Sequence, residues 1–328
     1  MVKILGIEST AHTFGVGIFD TSENKILANT KSYYKPLNEG IVPKKAAAYH
    51  IENAPSTIKQ ALEEANLNIK DIDYLAYSAG PGLGPCLQIG ALATEFLGLK
   101  YNKKVIAVNH PHAHVEITKY ITGFEDPLIL YVSGGNTQIL VEKEKLKFIV
   151  LGETLDIGLG NLFDMFARAL GEEFSHGSVV ASLAQKGKKF YDMPYTVKGM
   201  NFSFSGLYTY ATKLIGKVPK EDLCYSLLEI AFDELCEATE RALMLTKKRQ
   251  IIACGGVAQN KELMKKLSDI AEEHQIEAKT CQDVYNADNG AMIALCASKL
   301  LMYSMNPENV FYEQKWRIDR LEKHYKIK

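Results

Sequence analysis

The sequence contains no CxxC pair, no long apolar run and almost no net charge. Its six cysteines (Cys86, Cys224, Cys236, Cys254, Cys281, Cys296) are scattered, with no two closer than twelve positions. That spacing suits neither a zinc knuckle nor a disulfide scaffold and reads as reduced thiols in a cytoplasmic protein. The longest apolar stretches, such as 89–99, are interrupted by Glu95 and fall short of the roughly 18 residues a membrane span needs. The N-terminus enters a strand pattern at Val2 and meets an acid at Glu8, so no signal peptide is expected. Thirty-eight Lys and Arg against 39 Asp and Glu leave a formal charge of −1, which excludes a histone-like or tail-driven nucleic-acid binder. What is present is ordinary globular material: 328 residues, 47% apolar and 23% charged. At about 150 residues per domain that length predicts two domains.

An internal repeat organises the chain. Residues 2–8, 14–19 and 25–32 read as three strands joined by short polar turns, and a helix follows over 44–65. A strand over 73–78 stops at Gly80-Pro81-Gly82-Leu83-Gly84-Pro85. Then come a helix over 87–99, a strand over 104–108 and a helix from about Pro111 to Ile121. The second half repeats the order from Leu128, with glycine turns at Ser133-Gly134-Gly135-Asn136 and Gly255-Gly256, and ends in an apolar helix over 290–304. Both halves read βββαβαβα, and a repeated supersecondary order says more than any single motif. The division predicted is 1–127 and 128–328, with a helical insertion at about 156–220. Glycine turns facing each other across a cleft let backbone N–H groups approach phosphate oxygens. The duplicated unit resembles the α/β, two-lobed actin-like ATPase (ASKHA) fold of actin and the sugar and acetate kinases, in which an adenylate lies between the lobes.

The sharpest chemical cluster is Asn109-His110-Pro111-His112-Ala113-His114-Val115-Glu116, which holds three of the eight histidines. Pro111 fits the first position of a helix. His110 and His114 then share one face at the four-residue spacing that lets two imidazoles meet one metal. His112 points elsewhere, as a surface or packing residue. A zinc-protease reading fails because Pro111 stands where H-E-x-x-H has its general base. Further ligands are available in Tyr131, at the end of a strand, and in Asp288, at the start of the last helix. Asp288 reads equally as a helix N-cap. Phenolate, imidazole and carboxylate together suit iron or zinc. Gly255, Gly256 and Asn260 suggest an adenosine pocket. Asp156 and Asp164, eight apart, are placed on one helical face, where either suits a ribose hydroxyl or a metal.

Taken together, the motifs resemble one family over nearly the whole chain: the universal tRNA threonylcarbamoyladenosine transferases, called TsaD in bacteria and OSGEP in eukaryotes. The segments carrying the resemblance include 6–13, Gly80–Pro85, Asn109–His114, Tyr131–Gln138, Gly152–Asp156, Asp164, Phe204–Leu207, Gly255–Ala258 and Asp288–Met292. The stretch 194–200 is similar to archaeal and eukaryotic forms. The resemblance implies metal-assisted transfer of a threonylcarbamoyl group from threonylcarbamoyl-AMP to the adenosine 3′ of the anticodon in ANN-decoding tRNAs. It implies one iron or zinc ion per subunit on His110, His114, Tyr131 and Asp288. It also implies an adenylate pocket (threonylcarbamoyl-AMP, ATP or AMP) lined by Tyr131, Val132, Ser133, Gly134, Gly135, Asp164, Gly177 and Asn260, with no catalytic side chain beyond the metal ligands.

One segment departs from the pattern. Where relatives commonly read Pro-Gly-Gly-Pro this chain has Ser175-His176-Gly177-Ser178, and Ala181 stands where archaeal relatives often carry a ribose-contacting glutamate. Losing one such hydrogen bond costs roughly 0.5–1.5 kcal/mol, and His176 is placed to compensate. The implied partners are those of a KEOPS-type assembly, including a small kinase-like ATPase and a small dimerisation subunit, with tRNA bound mainly by the assembled complex and no membrane contact. The basic clusters Lys44-Lys45, Lys103-Lys104, Lys186/Lys188/Lys189, Lys247-Lys248-Arg249 and the C-terminal run from Lys315 to Lys328 read first as solvated faces. Two alternative readings remain: a small-molecule kinase of the same fold, which leaves the histidine pair idle, and a catalytically weak nucleotide-binding scaffold of the same complex.

Overall fold

Strands β1 (Lys3–Glu8), β2 (Thr13–Asp20) and β3 (Lys25–Tyr33) form the expected meander. They are followed by α1 (Pro43–Glu64), β4 (Tyr74–Gly80), α2 (Gly84–Tyr101), β5 (Lys104–Asn109) and α3 (His110–Thr122). The computed structural model describes residues 2–36, 40–173, 175–303, 306–307 and 311–326; the expected helix end at Ser304 and the basic Lys328 lie outside them. The first sheet has the order β3-β2-β1-β4-β5. β2 is antiparallel to its neighbours, while β1, β4 and β5 are parallel. β2 is buried along its whole length and β4 over its last six residues, as strands covered on both faces must be.

The second half repeats this pattern with β6 (Leu128–Val132), β7 (Thr137–Glu144) and β8 (Lys147–Glu153). The inserted α4 (Leu159–Ala169), α5 (Gly177–Ala184), β9 (Val197–Lys198), β10 (Asn201–Phe202) and α6 (Phe204–Lys213) come next. The repeat then resumes with α7 (Lys220–Thr246), β11 (Gln250–Cys254), α8 (Lys261–Glu273), β12 (Glu277–Thr280), the short α9 (Asp283–Asn286) and α10 (Gly290–Met302). Its sheet order, β8-β7-β6-β11-β12, mirrors the first. Between α5 and β9 the chain is held along α7 by one stripe of side chains. Asp222 accepts from the Lys188 and Lys189 amides, Ser226 from Tyr191, and buried Glu234 from the amide and hydroxyl of Thr196.

The last helix of each half lies against the other half. α10 packs on β1 and β2, and α3 makes contacts with β11, β6 and β12. The sequence permits this because glycine lines the contact. A Cβ on Gly17 would lie 2.1 Å from the Ala291 nitrogen, and one on Gly290 would lie 2.2 Å from the Gly17 nitrogen. Backbone therefore meets backbone, and the first turn of α10 is fixed against the sheet that carries Glu8. The segment after α10 also returns to the first half, where β13 (Asn306–Pro307) pairs with β14 (Tyr325–Lys326). The Glu313 amide donates to the Ala79 carbonyl at 2.7 Å. Asn109 Nδ2 donates to the Trp316 carbonyl at 3.0 Å, and the Tyr325 hydroxyl accepts from the Asn109 amide and donates to the Ala107 carbonyl, both at 3.1 Å. The start of α3 is thus anchored by the C-terminal segment.

Gly17→Ala is expected to lower stability by about 1–3 kcal/mol through overpacking. Urea unfolding measures it, and an unchanged midpoint would refute the backbone contact.

Candidate metal centre

The strand β5 delivers Asn109 to the N-cap of α3, where its side chain accepts from the His112 amide at 3.1 Å. The helix begins one residue earlier than the proline suggests: His110 is its first residue and Pro111 its second. His110 and His114 lie one turn apart, ring centroids 4.7 Å apart and nearly perpendicular. The third group comes from the far end of the chain. Asp288 Oδ1 lies 3.2 Å from His114 Nε2 and 3.6 Å from His110 Nε2. Atoms about 2.0–2.2 Å from a common tetrahedral ion lie about 3.3–3.6 Å from one another, so these separations fit a shared metal.

Asp288 is not the cap of α10. Asn289 takes that position and accepts from the Met292 amide at 3.0 Å, leaving the Asp288 carboxylate to face the histidines. The N-cap alternative for Asp288 is therefore corrected by one residue. Tyr131, second from the end of β6, is fully buried with its ring 5.6 Å from that of His114. Its hydroxyl has no hydrogen-bond partner among the described residues, the state expected of a donor atom that belongs to an additional ligand. His110, His114 and Asp288 are thus brought together with the Tyr131 ring beside them, and the residues fit a metal ion.

Charge explains how the cluster is held. Burial works against a charge on His110, but Glu8 and Asp288 outweigh it and push its pKa up to about 9. Burial, helped by the neighbouring His110, lowers that of His114. Burial also opposes charge on Asp288, yet the His114 hydrogen bond and the His110 charge hold its carboxyl well below the usual range. Burial raises the Tyr131 phenol strongly. Sequence reasoning missed Glu8 as part of the site. The only local signal was an acid closing an otherwise apolar strand. His112 is no surface residue: it is 1% exposed and bridges Cys296 and Glu116 in the core.

The other predicted residues flank the cluster. Gly255, at φ +96°, would place a Cβ 2.4 Å from the Val132 oxygen and 3.3 Å from the Tyr131 ring, so the ends of β6 and β11 close on each other. The Ser133–Asn136 turn is fastened to α4 by Gly160 and Asn161 amides donating to the Ser133 and Gly134 oxygens, leaving Gly134 and Gly135 exposed. Asp164 and Gly177 do meet, the Gly177 amide donating to Asp164 Oδ1 at 2.7 Å. Burial raises the Asp164 carboxyl against the opposing influence of His176 and that amide. Asn260 caps α8 through Oδ1, and Gly256 opens the preceding turn with nothing within 4 Å of its Cβ position. Asp156 and Asp164 do not share a helical face. α4 starts only at Leu159 because Gly158 is extended (φ −70°, ψ 156°), and Asp156 instead binds the Ser205 hydroxyl at 2.5 Å. A cleft of about 370 Å³ opens beside the centre, lined by Pro81 and Pro111, by Gly135 and Asp156, and by Lys315 and Arg317.

Two mirrored sheets with exchanged terminal helices, a glycine-turned cleft and a buried His-His-Asp cluster at the seam define the class: an actin-like nucleotide-binding fold that carries a possible metal site. Solved structures agree on the fold. T. kodakarensis HypF superposes with a TM-score of 0.65 at 13% identity over 92% of this chain, which spans about half (48%) of that protein. The activator of the 2-hydroxyisocaproyl-CoA dehydratase from Clostridium difficile, with bound ADPNP, gives 0.55 at 12% identity over 92% of this chain and 96% of that one. Sequence comparison narrows the class to one family. The tRNA N6-adenosine threonylcarbamoyltransferase (TsaD) family model matches residues 23–295. Proteins of that name from Thermococcus sibiricus and Saccharolobus islandicus are 46% and 44% identical over 97% of this chain and 98% of theirs. The chain belongs to the tRNA N6-adenosine threonylcarbamoyltransferase family and is a transferase.

Asn289→Ala is expected to cost about 1 kcal/mol of stability as a lost cap, whereas Asp288→Ala should leave the cap intact and abolish zinc binding. Thermal unfolding paired with zinc titration separates them. A destabilised Asp288→Ala variant with full zinc affinity would reverse the two assignments.

Proposed function

We propose that this chain transfers a threonylcarbamoyl group from threonylcarbamoyl-AMP to the N6 of the adenosine 3′ of the anticodon in ANN-decoding tRNAs, in the cytoplasm, using one iron or zinc ion per subunit. The observation carrying the reading is the buried His110–His114–Asp288 cluster, in a family of tRNA-modifying transferases. His110, His114, Asp288 and Tyr131 would hold the ion. Bound there, it supplies Lewis acidity for charge that develops on a carbonyl or phosphate oxygen.

The chain's own groups do the rest. The exposed glycines of the Ser133–Asn136 turn have room for a phosphate: a Cβ on Gly135 would meet nothing within 4 Å and one on Gly134 only Asn161, at 3.5 Å. Backbone donors there suit an AMP phosphate that gains charge as it leaves. Val132, Gly255 and Gly256 form the floor towards the metal. Asp164, tied to Gly177 and influenced by His176, is the acceptor for ribose hydroxyls, a role that Ala181 in α5 cannot share. Asn260 keeps its amide NH2 for the base while its oxygen caps α8. No side-chain nucleophile is required.

KEOPS-type partners, a small kinase-like ATPase and a small dimerisation subunit among them, would supply much of the tRNA surface. Several of this chain's cations are already neutralised: Lys248 by Asp126, Arg317 by Glu153 and Asp319, and Lys323 by Glu313. tRNA affinity depends on free cations that displace counterions.

The test is a reconstituted transfer reaction with partners, the threonylcarbamoyl-AMP synthase, ATP, threonine, bicarbonate and unmodified tRNA, read by mass spectrometry of digested tRNA. Modified adenosine should form and should vanish in the His110→Ala/His114→Ala variant. No modification, in a mixture where a known relative is active, would refute the transferase reading and favour a nucleotide-binding scaffold. Separately, Asp164→Asn keeps the acceptor for Gly177 but removes the charge, and adenylate affinity by calorimetry should fall about 10-fold; unchanged affinity would remove Asp164 from the pocket.

A further inference from the structure

Glu8 is the last residue of β1 and is fully buried. A carboxylate taken out of water must be paired or hydrogen-bonded, and each oxygen of Glu8 has a defined task. Oε1 accepts from the Thr10 amide at 2.7 Å and from the Thr10 hydroxyl at 2.5 Å. Oε2 lies 2.9 Å from His110 Nδ1. Thr10 therefore fixes the carboxylate, and the carboxylate faces the ring nitrogen of His110 that points away from Asp288.

The two imidazoles of the cluster differ in this respect. His114 Nδ1 is buried with no hydrogen-bond partner among the described residues, whereas His110 Nδ1 has a buried carboxylate. An imidazole that ligates through one nitrogen is oriented, and made more basic, by an acceptor on the other. Without one, the ring can rotate or present the wrong tautomer.

We infer that Glu8, braced by Thr10, is a positioning residue that holds His110 with its Nδ1 proton directed inward and its Nε2 turned to the metal beside Asp288. This rests on the metal-centre reading above. It makes the short β1–β2 turn part of the centre, although Glu8 touches neither the ion nor the substrate. It also assigns unequal roles to the histidines. His110 is held by a fixed hydrogen bond and is rigid before the ion arrives. His114 is oriented by helix packing and by Asp288 alone.

The experiment measures zinc affinity of the full chain by competition with a chromophoric chelator, alongside thermal unfolding of the metal-free protein. Glu8→Ala should weaken zinc binding about 10–100-fold, the range found when such outer partners are removed. Glu8→Gln, which still accepts from Nδ1–H, should recover most of that loss. Thr10→Val, which removes the hydroxyl brace on the carboxylate and keeps the amide one, should give an intermediate loss and serves if Glu8→Ala does not fold. In zinc-loaded protein with 15N-labelled histidine, the Nδ1–H resonance of His110 should be present in the wild type and Glu8→Gln and lost or exchange-broadened in Glu8→Ala. Variants that fold and bind zinc within twofold of wild type would overturn the role of Glu8 while leaving the metal centre standing. A wild type whose zinc affinity is no better than that of His110→Ala would overturn both, and the two failures are distinguishable.

Discussion

Everything at the centre depends on one contact: the backbone of α10 pressed against the backbone of β1 and β2. It exists because Gly6, Gly15, Gly17 and Gly290 present no side chains at the crossing. A helix normally packs on a sheet through an intervening layer of apolar side chains. Here the glycines let the first turn of α10 drop into the sheet, and Asp288, two residues before it, reaches the helix that carries His110 and His114. Because α10 ends the second half and the histidines end the first, the site forms only when both halves are folded and docked.

The second constraint is electrostatic. The cluster holds two acids and two imidazoles in a largely dry seam, and such groups persist only when mutually paired. The arrangement is alternating: Glu8, His110, Asp288, His114. Each acid faces a potential cation and each imidazole an acid. A metal ion bound there would be held by groups that are already in place. The C-terminal segment contributes by anchoring Asn109, the cap of α3, through Trp316 and Tyr325.

The comparisons show how fold and function separate. HypF and the dehydratase activator share this architecture at 13% and 12% identity, which is evidence about the fold alone. The transferase assignment comes from relatives at 44–46% identity over nearly the whole chain. Between the two lies the site, and its particular chemistry is carried by residues that the repeat does not duplicate. The second half has no counterpart of the α3 histidine pair in α10, where the equivalent first turn reads Gly290-Ala291-Met292.

Local physics made much of this legible in advance. Short-range patterning determined the βββαβαβα order of each half, and the four-residue spacing determined that His110 and His114 share a face. The glycine turns were visible for the same reason, since backbone freedom is a property of single residues. Other features depended on contacts distant in sequence. Whether Asp288 caps its helix or serves the cluster was settled by Asn289 taking the cap. The separation of Asp156 from Asp164 followed from an extended Gly158 packed on the Gly134 turn. Glu8 reaches His110 across 102 residues, and His114 reaches Asp288 across 174. No periodicity encodes such a pair, because its geometry is set by how helices and sheets pack. The sequence by itself determined the elements and the donor atoms; tertiary packing alone decided which donors converge.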